Sequence, residues 1–103
     1  MYDTLTLTDA VVDLLLEREG LLGTVECGVA GIISHNIFES DQGPLVLGSS
    51  MVMDDAQEAI EILNLPRPQF KKAGNYSAKA ARAAAREGRS FLGVTLCLVA
   101  WSE

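Results

Sequence analysis

The sequence has few of the residues that mark metal centres and disulfide scaffolds. It contains two cysteines and a single histidine among 103 residues. Cys27 and Cys97 lie seventy positions apart, each in an apolar, strand-like context. This usage is typical of reduced thiols in a cytoplasmic protein rather than of a disulfide or a metal site. We therefore expect a cytoplasmic location, no metal and no cofactor.

Long hydrophobic runs are also missing. No apolar run approaches the roughly 20 residues that cross a bilayer, and residues 1–9 have neither the basic start nor the apolar stretch of a secretory signal. We expect no membrane association. The chain is nevertheless 49% apolar, and a single domain over residues 1–103 buries apolar surface inefficiently at this size. We therefore expect a homo-oligomer.

Positive charge is scarce and unevenly placed. The eight basic residues are outnumbered by fourteen acidic ones, which gives a net charge of −6 and argues against general nucleic-acid binding. Residues 67–89 hold seven of the eight against Glu87 alone, a net +6, and the remainder of the chain carries −12. Three interpretations stay open: a local site for a phosphorylated ligand, a basic face that meets an acidic face of another subunit, or a solvated basic helix.

Helical and strand patterns alternate along the chain. A helix is predicted from a cap at Thr8 or Asp9, and Ser77 is predicted to cap the last helix, with Gly88 closing it. A turn is predicted over residues 40–44, and the final strand is apolar on both faces, as in a central strand. Helices are predicted over residues 9–18, 29–38, 54–64 and 78–87, and strands over 21–26, 45–53 and 91–101. This alternation indicates a three-layer α/β/α sandwich around a small, mostly parallel sheet.

Residues 23–33 form the most informative segment, a buried strand that passes through small residues into a helix. Free backbone N–H groups and the helix dipole at such a junction suit an anion or an activated nucleophile. Cys27 stands there, and its thiol either has a lowered pKa or is a small buried hydrophobe. Glu26 needs a partner on a buried strand, either backbone N–H groups of the turn or a basic side chain. His35 lies too far along the helix to act as the base for Cys27 within one subunit.

Two further segments invite a functional reading. Residues 48–50, Gly-Ser-Ser, predict either close approach of a ligand to the backbone or a bulge. Asp54 and Asp55 predict either acid–base or metal-binding chemistry or, more commonly at a helix start, capping and dipole interactions.

The order of these motifs resembles the C-terminal domain family of CinA, the competence- and damage-inducible protein. Residues 24–33, Thr-Val-Glu-Cys-Gly-Val-Ala-Gly-Ile-Ile, are similar to the family signature Thr-Ala-Glu-Ser-Cys-Thr-Gly-Gly; Glu26 and Gly31 match, and Cys27 stands at the serine. Residues 53–65 fall in register with a second signature, with Asp54 at its tyrosine and Ala59 at its lysine. Residues 74–77 resemble a helix cap and residues 95–100 the strand before a glycine loop. The resemblance runs from about residue 9 to 100 and covers about two-thirds of a family domain.

The resemblance implies a shortened α/β domain related to nicotinamide mononucleotide amidohydrolases. It implies Cys27 as the catalytic position and, as ligand-binding positions, Glu26, Gly28, Gly31, Ser49, Ser50 and Asp54. Because the family's tyrosine, lysine and glycine loop are absent, we expect a catalytically degenerate domain that acts as an oligomeric binding or assembly module. The alternative is a deamidase that uses Cys27 in place of the serine, with the basic segment holding a phosphate. A non-catalytic sensor of a phosphorylated ligand lies between the two.

Overall fold

The computed structural model describes residues 4–65 and 77–102. Within them the predicted helices and strands are present in the predicted order, with an additional short helix before the second strand. The elements in chain order are α1 (Thr4–Glu17), β1 (Leu22–Cys27), α2 (Ile32–Glu39), α3 (Gly43–Val46), β2 (Leu47–Met53), α4 (Ala56–Ile62), α5 (Ala78–Leu92) and β3 (Leu96–Trp101). The expected helix stop at residues 66–68, the basic residues Arg67, Lys71 and Lys72, and most of the 74–77 motif lie outside the described residues.

The three strands form one parallel sheet in the order β2-β1-β3. Successive side chains on a strand point to opposite faces, so β1 presents Val25 and Cys27 to one face and Thr24 and Glu26 to the other. Helices α4 and α5 pack on the Val25 face, whereas α1, α2 and α3 enclose a second apolar cluster on the opposite face, around Leu22. The α/β layering is confirmed, and the described sheet is parallel throughout.

Helix α5 lies unusually close to the sheet. Ala80, Ala84 and Gly88 are buried at intervals of four residues, which places them on one face of the helix. A Cβ at Gly88 would lie 2.8 Å from the Cys97 Sγ atom. The prediction that Gly88 closes this helix is therefore wrong: the glycine permits a close contact inside the helix, which ends at Gly93 in the left-handed conformation.

The final strand is shorter than expected and lies at an edge. Residues 91 and 92 belong to α5, and β3 begins only at Leu96. In the described sheet β1 is the central strand, and β3 pairs with β1 alone. The prediction of a central final strand is therefore wrong for this chain, although the apolar pattern that suggested it is present.

Several other boundaries differ from the predictions because tertiary contacts override local signals. Helix α1 begins at Thr4, ahead of the expected cap, and α2 begins only at Ile32 because residues 28–31 form a turn. The expected turn at 40–44 leads into α3, with Pro44 in its first turn. The bulge interpretation of residues 48–50 is confirmed: β1 residues 22 and 23 pair with Leu47 and Ser49, so Gly48 is the extra residue.

Candidate functional site

The candidate site lies where β1, the central strand, passes into α2. Gly28, Ala30 and Gly31 all adopt left-handed backbone conformations, with φ of 74°, 57° and 74°. The Gly28 N–H donates to the Met53 carbonyl at 3.0 Å, and a Cβ at Gly28 would overlap the Ser102 backbone oxygen. Gly28 therefore lies against the ends of β2 and β3 while remaining exposed to solvent, and its need for glycine is explained by the fold alone.

Glu26 is the fully buried acid of the site, and its carboxylate closes the start of α2. Its Oε1 atom accepts from the Ile33 N–H at 2.7 Å, and its Oε2 atom accepts from the Ser34 N–H at 3.2 Å. The Thr24 hydroxyl donates to the same Oε2 atom at 3.0 Å. Of the two partners proposed for this carboxylate, the backbone N–H groups are therefore the correct one.

This arrangement changes what the turn can bind. The first N–H groups of a helix have no partner within the helix and form a ready anion site. Here the Ile32 N–H donates to the Val29 carbonyl at 3.2 Å, and the next two N–H groups bind Glu26. The protein's own carboxylate therefore occupies the position at which an external anion or a developing oxyanion would be stabilised.

Cys27 points to the other face of the sheet, away from the helix N-terminus. It is fully buried in the cluster that includes Ala59 and Ile60. Burial, followed by the negative charges of Asp55 and Glu58, raises the pKa of the Cys27 thiol to about 11. The proposed lowering of this pKa by the helix terminus is therefore wrong, because adjacent strand residues face opposite sides and the dipole lies on the Glu26 side.

We predict that folded protein at pH 7.5 alkylates at Cys27 at least about 100-fold more slowly than at an unperturbed thiol, since a shift from 9.0 to about 11 lowers the thiolate fraction that much. The folded state binds the Cys27 proton more tightly than the unfolded state does. The resulting contribution to the free energy of unfolding is present below pH 9 and is lost as pH rises towards 11.

Iodoacetamide labelling with peptide mass mapping measures the alkylation rate. Protein in urea is the control, and equal labelling of folded and unfolded Cys27 would contradict the assignment.

A shallow groove of about 320 Å³ lies on the Glu26 side of the sheet. It brings together Gly31 and Ser50, two of the residues that the resemblance implied. Ser34, His35 and Phe38 of α2 complete the groove with Leu47, and the Ser34 hydroxyl donates to the Gly31 carbonyl at 3.2 Å. Sequence reasoning missed Ser34 and Phe38; their separation by four residues on a helix that follows a small-residue turn was the available signal.

The remaining predicted residues lie apart from this groove. Ser49 follows the bulge and belongs to the other face of β2. Asp54 is exposed at the end of β2, whereas Asp55 caps α4 by accepting from the Glu58 N–H at 3.2 Å. Capping thus explains Asp55. Among the described residues, no cluster of three or more histidine, cysteine or acidic side chains is arranged to hold a metal ion.

The described part of the basic segment is also remote from the groove. Lys79, Arg82, Arg86 and Arg89 are exposed on α5, which packs on the Cys27 face of the sheet. The groove lies on the opposite face, and these four side chains do not line it. Within residues 4–65 and 77–102, no helix has the length and apolar character needed to span a membrane.

Solved structures of several CinA superfamily proteins have a fold similar to this parallel α/β fold. A competence-damaged protein (CinA) superfamily protein from Escherichia coli has 20% sequence identity and a TM-score of 0.85, over 96% of this chain and 59% of its own. A competence or damage-inducible protein from Enterobacter asburiae has 15% identity and a TM-score of 0.87, over 95% and 62%. The competence damage-inducible protein A (ComA) from Klebsiella pneumoniae has 14% identity and a TM-score of 0.86, over 95% and 61%.

At these identities the likeness shows the fold. The chain has the CinA-superfamily fold in shortened form and spans about 60% of the length of the solved chains that it matches. No protein-family model matches the sequence, and no curated protein sequence matches it either. The resemblance inferred from the order of the motifs is confirmed at the level of the fold.

Proposed function

We propose that this chain is a non-catalytic CinA-like module that binds or assembles with other chains rather than hydrolysing an amide. The observation that carries the proposal is the environment of the Cys27 thiol, which is fully buried in an apolar cluster and lies near two carboxylates that oppose its ionisation. Amide hydrolysis requires an activated nucleophile and donors for the oxyanion. Here Glu26 accepts from the Ile33 and Ser34 N–H groups at the start of α2. The thiol is buried on the opposite face of the sheet, and its pKa is raised to about 11.

The proton-handling groups support the same proposal. On the alignment with the family signature, Asp54 and Ala59 stand where the resemblance expects a tyrosine and a lysine. Asp54 is exposed, and Ala59 is a fully buried apolar residue of the core. The structure therefore offers the Cys27 thiol neighbours that oppose its ionisation, the Asp55 and Glu58 charges, in place of a base.

We also propose that a small ligand binds in the groove at Gly31 and Ser50. Its hydroxyl groups, the His35 imidazole and the exposed ring of Phe38 are groups that bind a small polar or phosphorylated molecule. Both cysteines are free thiols. Because reducing compartments keep thiols in this state, the free cysteines support the proposal of a cytoplasmic location.

Two measurements on the intact chain test the proposal. Incubation with nicotinamide mononucleotide is expected to release no ammonia above the rate of a Cys27→Ala variant, with Cys97→Ala as the matched thiol control. Turnover that Cys27→Ala abolishes and Cys97→Ala retains would restore the alternative, a deamidase with Cys27 as nucleophile. Size-exclusion chromatography with light scattering at micromolar concentration is expected to show a multimer, and a monodisperse monomer would count against assembly.

A further inference from the structure

Helix α5 carries a stripe of basic side chains on the face that points away from the sheet. Ala80, Ala84 and Gly88 are the buried residues of this helix. Arg82 and Arg86 each follow one of them by two positions, which is about 200° around a helix. The four exposed cations that we call the basic stripe share this outward face: Lys79, Arg82, Arg86 and Arg89. Because the stripe points away from the sheet, its exposure does not depend on where the sheet ends.

The stripe is unfavourable within its own helix. Like charges three or four residues apart on one helix face repel each other, and Lys79 lies in the first turn, where the helix dipole opposes a cation. Within residues 4–65 and 77–102, no carboxylate forms an ion pair with these cations, and the sequence of residues 66–76 contains no acidic residue. A local rule broken without compensation from these parts of the chain indicates a partner outside it.

The other helix on this face of the sheet carries the opposite charge. Helix α4 packs on the same face as α5; it lies over β1 and β2, whereas α5 lies chiefly over β3 and β1. Ala56, Ala59 and Ile60 of α4 are buried. Four exposed carboxylates at the start and on the outer side of α4 form what we call the acidic face: Asp54, Asp55, Glu58 and Glu61. The outer surface of this helix layer is therefore acidic on one side and basic on the other.

The distribution of these charges favours a second copy of the chain over a small anion or a nucleic acid. The stripe spans about 15 Å from Lys79 to Arg89 at about 1.5 Å per residue, so its cations are spread along the helix and do not converge on one phosphate group. A nucleic-acid backbone on the stripe would lie beside the carboxylates of the acidic face. A two-fold axis, in contrast, uses the same surface on both copies, and a surface that is half acidic and half basic is complementary to itself.

We infer that two copies of this chain associate through α4 and α5, with the basic stripe of each copy against the acidic face of the other. The two-fold axis runs along the helices, between α4 and α5, so that four cations face four carboxylates in each half of the interface. Complementary charges of this kind select the partner and fix its register. The inference rests on the assembly role in the proposed function and deepens it by naming the partner and the surface.

Light scattering of two charge-reversed variants tests the interface. We expect the wild type at twice the 11.0 kDa chain mass. Arg82→Glu with Arg86→Glu, and separately Glu58→Lys with Glu61→Lys, are each expected to raise the dimer dissociation constant at least about tenfold, because like charges then meet in both halves of the interface. An equimolar mixture of the two variants is expected to dimerise as the wild type does, since acidic again faces basic in both halves.

An acidic pair on the opposite side of the sheet provides the matched control. Asp13 and Glu17 are exposed on α1, which packs on the other face of the sheet. Asp13→Lys with Glu17→Lys changes the net charge as much as the α4 variant does and is expected to stay dimeric. A monomeric wild type, reversed variants that remain fully dimeric, or a mixture that stays monomeric would overturn the inference.

Salt dependence keeps the inference testable where a reversed variant fails to fold. Raising the NaCl concentration from about 0.05 to about 0.5 M is expected to raise the wild-type dissociation constant at least about tenfold, because salt screens exposed charges. A dissociation constant that salt leaves unchanged contradicts the interface. A dimer that survives both reversals also contradicts it but leaves the proposed assembly role intact. Ammonia release that Cys27→Ala abolishes, by a dimer that the reversals dissociate, contradicts the proposed function and supports the interface.

Discussion

Replacing Glu26 with glutamine is expected to lower the free energy of unfolding by about 3 kcal/mol, since hydrogen bonds to charged groups contribute about 1.5–3 kcal/mol and a buried donor without an acceptor costs about as much. The carboxylate accepts three hydrogen bonds, from Ile33, Ser34 and the Thr24 hydroxyl. A glutamine oxygen can still accept from Ile33, but its NH₂ group then faces two donors. Urea denaturation followed by circular dichroism measures the loss.

A graded series separates this network from a general effect of surface charge. Thr24→Val removes only the hydroxyl donor and keeps both backbone bonds, so its cost is expected to be about 1 kcal/mol. Glu58→Gln removes a carboxylate from an exposed site and is expected to change stability by less than about 0.5 kcal/mol. Equal stability of Glu26→Gln and Glu58→Gln would show that the buried carboxylate does not hold the start of α2.

The midpoint of thermal unfolding gives an independent measure of the same loss. For a domain of this size, 1 kcal/mol corresponds to a shift of roughly 4–8 °C, so Glu26→Gln is expected to melt more than about 10 °C below the wild type. A small domain has a total stability of about 5–15 kcal/mol, and a loss of this size leaves the fold marginal. A loss of this size would identify Glu26, which the resemblance implied as a ligand-binding residue, as a structural element.

The site illustrates what sequence reasoning can and cannot supply. That Glu26 needs a partner on a buried strand follows from its residue type and context alone. Which partner it takes depends on the path of residues 28–31, because three left-handed residues return α2 over the Glu26 side. Adjacent strand residues face opposite sides of a sheet, so Glu26 and Cys27 must do so. This rule alone predicts that the Cys27 thiol lies away from the helix terminus that Glu26 contacts.

The edge position of β3 shows a different limit. A strand that is apolar on both faces indicates burial on both faces, but the pattern carries no information on whether the same chain supplies the cover. Leu96 and Leu98 satisfy the pattern and are nevertheless exposed in the isolated chain. The pattern therefore predicts that the strand is covered on both faces, and it does not identify what covers it.

Predicting helix ends and turns from glycine positions fails for a related reason. Gly88 predicts a helix end by local rules, yet it lies inside α5 because the helix touches Cys97 there. Gly43 predicts a turn, and the turn is followed at once by α3. In both places glycine serves close packing between elements, which depends on tertiary contacts that a single sequence does not reveal.

Gly43→Ala is the second substitution with a large expected effect. An alanine Cβ at this position would overlap the carbonyl oxygen of Ile37 and lie 2.7 Å from its carbonyl carbon. Both atoms belong to the backbone of α2, so the clash is relieved only by moving α3 away from α2. That movement displaces Val46, which is fully buried with Ile37 in the cluster under α1. We expect a loss of about 3 kcal/mol, within the range of overpacking in a well-packed core.

The neighbouring residue provides the control for this prediction. Gln42 is exposed and makes no side-chain cap bond to α3, so Gln42→Ala places the same alanine one position earlier and is expected to change stability by less than about 0.5 kcal/mol. Urea denaturation of the two variants gives the comparison, with the tryptophan signal and circular dichroism as separate probes. If Gly43→Ala is as stable as Gln42→Ala, the close approach of α3 to the end of α2 is not a feature of the folded protein.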